Sequence, residues 1–452
     1  MYAAVERRDW LSGCFLARMS HVKDFGARGD GQTDDTDAIE HAVQQGDGSL
    51  LFSRGEYRLT RTVVVDLERT GRLAVSGDGG LATVRMEGPG PAFFVRGTHG
   101  GTADPKGFNQ VVWERERMPT FSQIEILGAH PDACGIRFEG VMQATLEGVL
   151  IRKCRIGVHL TKRNRNFLMS HCHVYDGVGA AVGVYMDGVN LHQANIVGSH
   201  ISYHRHAGIK VERSEIRNLQ ITGCDVEYNF DPDGEDCADI WVDTRQGTVR
   251  EGTIASCTVQ AKRSPGGANI RIEGPDLPLS TAGGLWTISG NVIQSQDINL
   301  LLRSVRAVNV TGNSFCSGFW RGVVLEKCRN IVLSGNTMDY NPDYSGDRVD
   351  GMVVDACSGV FVNGWIFEAV RAGEEAENGA LTVRKSDAVT VSGCQFFDPA
   401  GAAVQLIGVR DSLVTGNIFG RRKGGELPEG WVRSVDGGEG VRVSGNLQMG
   451  GE

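Results

Sequence analysis

The tripeptide Ser/Thr-Gly-Asn returns along this chain, each time between two short runs of alternating apolar residues. It stands in ISGNVI (Ile288 to Ile293), VTGNSF (Val310 to Phe315), LSGNTM (Leu333 to Met338), VTGNIF (Val414 to Phe419) and VSGNLQ (Val443 to Gln448). Degenerate copies, LEGVLI from Leu146, IVGSHI from Ile196 and ITGCDV from Ile221, extend it upstream. A second repeat, Gly-apolar-x-apolar-acid, interleaves with the first. It reads GIRFE from Gly135, GVYMD from Gly183, GIKVE from Gly208, DIWVD from Asp239, NIRIE from Asn269 and GVVLE from Gly322. Both alternate with period two, the side-chain period of a strand. Self-similarity at roughly 20 to 35 residues means a solenoid, each coil made of two or three short strands with apolar side chains stacked inside.

The composition suits such a coil. Sharp corners need positive φ, and the chain has 62 Gly against 12 Pro. At 452 residues several globular domains would be the prior, but a repeat array makes one long domain. A net charge of −9 argues against nucleic acid or an anionic membrane surface as partner. No apolar run approaches ~18 residues, so no membrane-spanning segment is read.

Of the 11 cysteines, Cys172, Cys224, Cys257 and Cys394 fall where other coils carry Asn291, Asn313, Asn336, Asn417 and Asn446. This position is expected to point inward and to form a ladder of buried amides and free thiols. No Cys/His zinc spacing occurs, and so many free thiols favour a reducing, cytoplasmic setting. Leu11-Ser12-Gly13-Cys14 looks like a lipoprotein cleavage box, yet charged Glu6 to Asp9 stand where an apolar stretch is required. No signal peptide is read.

VKDFGARGDGQTDDTDAIEHAV, Val22 to Val43, reads as a strand, a Gly-Asp-Gly turn and an amphipathic helix. Asp34 or Asp35 is placed to cap that helix, and Ala38, Ile39, Ala42 and Val43 form its buried face. This stretch resembles the opening of the pectate-lyase superfamily of pectin lyase-like proteins. The resemblance implies an all-β, single-stranded right-handed parallel β-helix, here of about 11–13 coils, with a short N-terminal capping helix. Residues 1–48 would form the N-terminal segment and 49–452 the β-helix domain. Related solenoids often trimerise, which makes a homotrimer the assembly the resemblance suggests.

In that family the Asn ladder lies between the second and third strands of each coil. The Gly-apolar-x-apolar-acid strands then become the first sheet, where family members form their substrate groove. Long loops at Arg96 to Thr120, Tyr228 to Ala238 and Asn341 to Val349 precede those strands. Alternation sends Asp239, Trp241 and Asp243 outward. Along the stack one outward row reads His159, Tyr185, Lys210, Trp241, Arg271, then turns apolar or small. Sugars stack on Trp and Tyr, and Lys and Arg bind hydroxyls or uronate carboxylates. The substrate-binding residues expected are thus Trp241, Lys210, Arg271, Tyr185, His159 and Asp187, with His204 overhanging the groove.

A parallel row of acids includes Asp187, Glu212, Asp243 and Glu273, most of them readable as solvated turn acids. Asp239 differs, because it stands where other coils have Gly or Asn. For a glycoside hydrolase or fructotransferase-like enzyme, Asp239 would be the acid and Asp243 or Glu212 the base or nucleophile, with His206 sharing a proton. SFCSGFWRGVVLEKCRNIVLSGN is similar to later coils of inulin fructotransferases. The Asn-Thr-Asp, Asp-Asp and Gly-His-Gly motifs of polygalacturonase-like hydrolases have no counterpart, and only Arg271-Ile272-Glu273 echoes their Arg-Ile-Lys. For a polysaccharide lyase, Lys210 or Arg271 would take the proton α to a uronate, and Glu212 and Asp243 would hold Ca²⁺. Otherwise no cofactor is expected. A non-catalytic, tailspike-like glycan-binding solenoid is the third reading.

Overall fold

The computed structural model describes residues 20–101, 109–234, 236–344, 346–374, 377–422, 430–436 and 438–449. Leu11 to Cys14, and most of the terminal stretch Arg421 to Gly430, lie outside these residues. The chain winds into a right-handed parallel β-solenoid of about 15 turns, more than the 11–13 expected. The surplus comes from the upstream strands between Ser49 and Gly128, where the repeats are too degenerate to be counted from sequence.

Each middle turn supplies one strand to each of three sheets. Ala238–Asp243 belongs to the first, Thr248–Ala255 to the second and Thr258–Gln260 to the third. Two strands, Ile156–Ser170 and Val182–Val197, run unbroken round the corner from the first sheet to the second. The two sheets therefore merge into a single 28-stranded ladder, opposite a third sheet of 16 strands.

Inward side chains stack from turn to turn. Phe315, Trp365, Phe367, Phe396, Phe419 and Trp431 form one column, with Phe367 and Phe396 4.6 Å apart and nearly parallel. The Asn ladder lies at the expected corner. Asn291 donates its side-chain amide to Asn313 at 2.9 Å, and Asn313 to Asn336 at 2.9 Å. Each Oδ1 also accepts the backbone N–H of the turn before it, and each Nδ2 satisfies a buried carbonyl. Cys224, Cys257 and Cys394 continue the column as free, buried thiols. Asn313→Ala strips partners from the Asn291 amides and the Ile288 carbonyl. It is expected to cost about 2–3 kcal/mol, read as a lower midpoint in urea unfolding.

The N-terminal segment already joins the sheets. Ser20–His21 pairs with Leu50 and Leu51, and Asp30–Asp34 pairs along Gly55–Leu59. Helix Thr36–Gln45 follows, burying Ile39, Ala42 and Val43. Asp34, not Asp35, bonds to the Thr36 N–H at its start. Asp35 stands at the N-cap position, but its carboxylate turns back to accept the N–H groups of Arg28 and Gly29.

Candidate active site

The outward row falls into register as the alternation requires: Tyr185 beside Lys210, Lys210 beside Trp241, and Trp241 beside Arg271. Adjacent strands sit about 4.8 Å apart, so these long side chains must layer on one another. Trp241 is the centre. The Lys210 ammonium lies 4.4 Å and the Arg271 guanidinium 4.3 Å from its ring centre. Its indole N–H donates to Glu273 at 3.1 Å. Covered in this way, Trp241 is only 5% exposed, so it is a packed floor and not the open sugar platform expected.

Arg271 is likewise committed. It grips Glu273 through Nε at 2.7 Å and Nη2 at 3.2 Å, and Arg303 closes on the same carboxylate at 2.7 Å. A guanidinium so held stays charged and cannot serve as a base. Its further contact with Asp236, at 3.4 Å, ties the acidic loop to the groove.

Around Lys210 several titratable groups lie in contact. Its Nζ lies 2.5 Å from His206 Nε2 and 3.2 Å from Glu212 Oε2. An ammonium offers only donors, so His206 Nε2 accepts and the imidazole carries its proton on Nδ1. Burial, and then the Lys210 charge, push the His206 pKa down, so the ring is neutral. Tyr185 donates its phenol to the other oxygen of Glu212, and its own pKa is raised by burial and by that bond. Glu212 therefore bridges Lys210 and Tyr185. Burial pushes its carboxyl up, but Tyr185, Lys210 and Arg213 outweigh that and hold it ionised.

Next to this cluster lies a hollow of about 360 Å³ lined by Glu212, Arg213, Asp243, Arg245 and Gln246. Arg213 and Arg245 are its half-exposed cations. Arg213 bonds to Asp187 at 2.5 Å and to Glu212 at 2.9 Å, and Arg245 grips Asp243 at 2.6 Å. Sequence reading did not single these two out, although each follows a row acid by one or two residues. Asp243 is pushed up by burial, yet Arg245 outweighs this and keeps it below the usual range. With both acids bound by guanidinium groups, the donor set does not fit the Ca²⁺ role given to Glu212 and Asp243. No group of three or more His, Cys, Asp or Glu among the described residues is arranged for a metal ion.

His159 stacks on Tyr185 with ring centroids 5.3 Å apart and lies 3.7 Å from Asp187, at the edge of the cluster. His173, His200 and Asp225 do share one row, on the third sheet and not the first.

Two expected site residues lie elsewhere. Asp239 is 0% exposed and does not face the groove. Its Oδ1 accepts from the Asn229 side chain at 2.9 Å and the Asn229 backbone at 3.1 Å, and its Oδ2 accepts from Asn269 at 2.9 Å. Asn299 extends the chain to Asn269 at 2.9 Å, and Asn229 carries it to His204 Nδ1 at 3.0 Å. His204 is thus buried, its pKa pushed down to about 4 by that burial, and it does not overhang the groove. The cause is geometric. The second residue of these first-sheet strands, which opens the Gly-apolar-x-apolar-acid motif, tucks under the preceding loop, and a Cβ at Gly208 would meet Asn229 at 2.7 Å. Turns without glycine there fill the space with Asp239, Asn269 and Asn299, a second interior ladder. The acidic loop before Asp239 is tied down too, with Arg205 bound to Asp231 and Asp233.

Residues 111–254 and 239–419 match the family described as right handed beta helix region. Tailspike protein 3 of bacteriophage CBA120 superposes with a TM-score of 0.52 at 14% identity, over 95% of this chain and 61% of the tailspike chain. The chain thus spans less than two thirds of that protein, and the likeness is one of fold. The A-module of mannuronan C-5 epimerase AlgE4 from Azotobacter vinelandii gives a TM-score of 0.41 at 13% identity, over 95% of this chain and 100% of that one. Alginate lyase 7 of Azotobacter vinelandii is 52% identical over 44 residues, which are 9% of this chain and 5% of that protein.

Proposed function

Because the chain belongs to the right-handed β-helix family, we propose that its first-sheet groove cleaves a uronate-containing glycan by β-elimination. The observation that carries this reading is the neutral His206 beside the Lys210 ammonium, with Glu212 linking Lys210 to the Tyr185 phenol. Elimination needs a base for the proton on C5, a cation for the uronate carboxylate and an acid for the leaving oxygen. His206 Nε2 takes the proton once Lys210 turns to the substrate. Lys210, with Arg213 and Arg245 at the mouth, neutralises the carboxylate as charge spreads onto it. The electron pair of the broken C5–H bond forms C4=C5, the C4–O bond breaks, and Tyr185 gives its proton to the departing oxygen. The proton gained by His206 returns to Tyr185 through Lys210 and Glu212, so no water is consumed.

The hydrolase reading draws on Glu212 and Asp243 at one hollow, on neighbouring strands. Hydrolysis needs a carboxyl that still holds its proton near neutral pH. Both of these are held ionised, and Asp239, whose pKa burial raises well above the ordinary value, is sealed inside. Elimination needs no such acid. The short likeness to a protein named an alginate lyase supports the same substrate class.

A polysaccharide panel tests this. Growth of absorbance at about 235 nm without added water across the bond is the expected result, and reducing ends without that absorbance would return the site to hydrolysis. Binding with neither product would leave the non-catalytic reading. The pH profile is a separate check. His206 must be neutral to act, and its pKa lies below the ordinary ~6.5. The acid limb of kcat/KM is therefore expected below pH ~6.5, with activity falling as pH drops through it. A limb well above that value would remove His206 as base.

A further inference from the structure

On the second sheet, round the corner from the groove mouth, one outward column is cationic. Strands Glu215–Thr222, Thr248–Ala255, Arg306–Thr311 and Arg329–Ser334 place Arg217, Arg250, Arg306 and Arg329 in it, with Gly284 between the middle two. At ~4.8 Å per turn the column runs about 19 Å. Gly284 leaves no gap, because the Arg306 stem leans towards it: a Cβ there would meet Arg306 Cγ at 3.0 Å. All four arginines are half-buried. Among the described residues no carboxylate comes within ion-pair distance of any of them. Arg217 donates to the Ile216 carbonyl at 3.0 Å and the Thr248 hydroxyl at 3.2 Å, and Arg329 donates to the carbonyls of Leu279 and Ser280. The groove cations Arg213, Arg245 and Arg271 are, by contrast, each held by an acid.

We propose that this column is a second glycan-binding site, a track for an acidic polysaccharide beside the groove. Like charges directly opposite one another on neighbouring strands are destabilising. Arg217 registers this: burial and then the Arg250 charge push its pKa down, with Glu251 and Glu215 each opposing less. Those two are the only carboxylates on the four strands, against four guanidiniums. The column is thus net positive on a chain whose formal charge is −9. A polyanion laid along it relieves the repulsion, and each guanidinium fork matches a carboxylate. A sugar ring is about as long as one turn is high, so the rings of an extended uronan keep pace with the turns. The next outward row, Gln220, Thr253, Thr287 and Asn309, is uncharged and offers amides and hydroxyls to ring hydroxyls. Over these turns neither row holds an aromatic ring to stack a base, which favours a glycan over a nucleic acid. Arg217 and Arg250 follow the groove cations Arg213 and Arg245 in the same two turns, so one polymer can bend from the groove mouth onto the column. The ligand class follows from the column's own charge and does not depend on elimination in the groove.

Native gel electrophoresis of the full chain through alginate, single-stranded DNA or neutral dextran tests this. Retardation by alginate and not by dextran is expected. Arg217→Gln combined with Arg250→Gln is expected to weaken it about three- to tenfold, the loss of two half-exposed ion pairs. Arg250→Lys, which keeps the charge, should weaken it less. Arg306→Gln combined with Arg329→Gln should weaken it as the first pair does, which separates loss of charge from a local folding defect. Both pairs should keep wild-type turnover of short uronate substrates. Absence of retardation for the wild-type chain, or retardation that neither pair weakens, overturns the proposal. Equal retardation by dextran, or stronger retardation by DNA than by alginate, overturns the acidic-glycan class. Retardation that both pairs weaken, in a chain that yields no 235 nm product, upholds the column while the elimination reading fails.

Discussion

His206→Ala is expected to lower kcat on a uronate polymer by about 10²–10⁴-fold, the usual contribution of a positioned general base. KM should change little, because the carboxylate is held by Lys210, Arg213 and Arg245. The imidazole is partly exposed, flanking Trp241 at 5.3 Å and meeting Lys210, so the fold should survive its loss. Lys210→Met should behave differently. It removes the cation that lies over Trp241 and touches both His206 and Glu212. Both kcat and KM should therefore suffer, and the acid limb of the pH profile should move up as His206 loses the neighbouring charge that depresses its pKa. If His206→Ala retained wild-type kcat at 235 nm, the base would have to be sought elsewhere.

The second large effect concerns stability. Asp239→Ala should destabilise the chain by about 3–5 kcal/mol, because it leaves three buried donors on Asn229 and Asn269 without an acceptor. Asp239→Asn should cost less than about 1 kcal/mol. The new Oδ1 keeps both bonds from Asn229, and the new amide donates to Asn269 once Asn269 and Asn299 turn over. Either way one outer atom of Asn299 stays unpaired, as its Oδ1 is already. Urea midpoints of the two variants distinguish these outcomes. Activity decides the role of Asp239: a ladder member leaves Asp239→Asn active, whereas a general acid would leave it dead.

Much of the architecture was legible without coordinates. The Ser-Gly-Asn corner, the three-strand turn and the register of Tyr185, Lys210, Trp241 and Arg271 all follow from strict periodicity. A solenoid repeats one local geometry, so phasing one turn phases its neighbours. The number of turns was underestimated where Ser49 to Gly128 lose the repeat. There the strands are held by pairing and by packed Phe52, Phe93 and Phe121, which sequence spacing does not reveal.

The chemistry divides along a different line. The row of residues on the groove strand was determined by sequence alone, because alternation is a property of the backbone. Which of them are free to act was decided by tertiary contacts. Trp241 and Arg271 are consumed by cation–π and carboxylate partners from neighbouring turns, and Asp239 and His204 are sealed by Asn229. The Lys210–His206 contact joins a strand to the loop before it. Alternation says which way a side chain leaves the backbone, but burial depends on what the preceding loop lays over it. The Asp or Asn at the glycine position of the motif, Asp239, Asn269 and Asn299, was the sequence trace of that cover, an interior ladder written at the edge of an outward-facing strand.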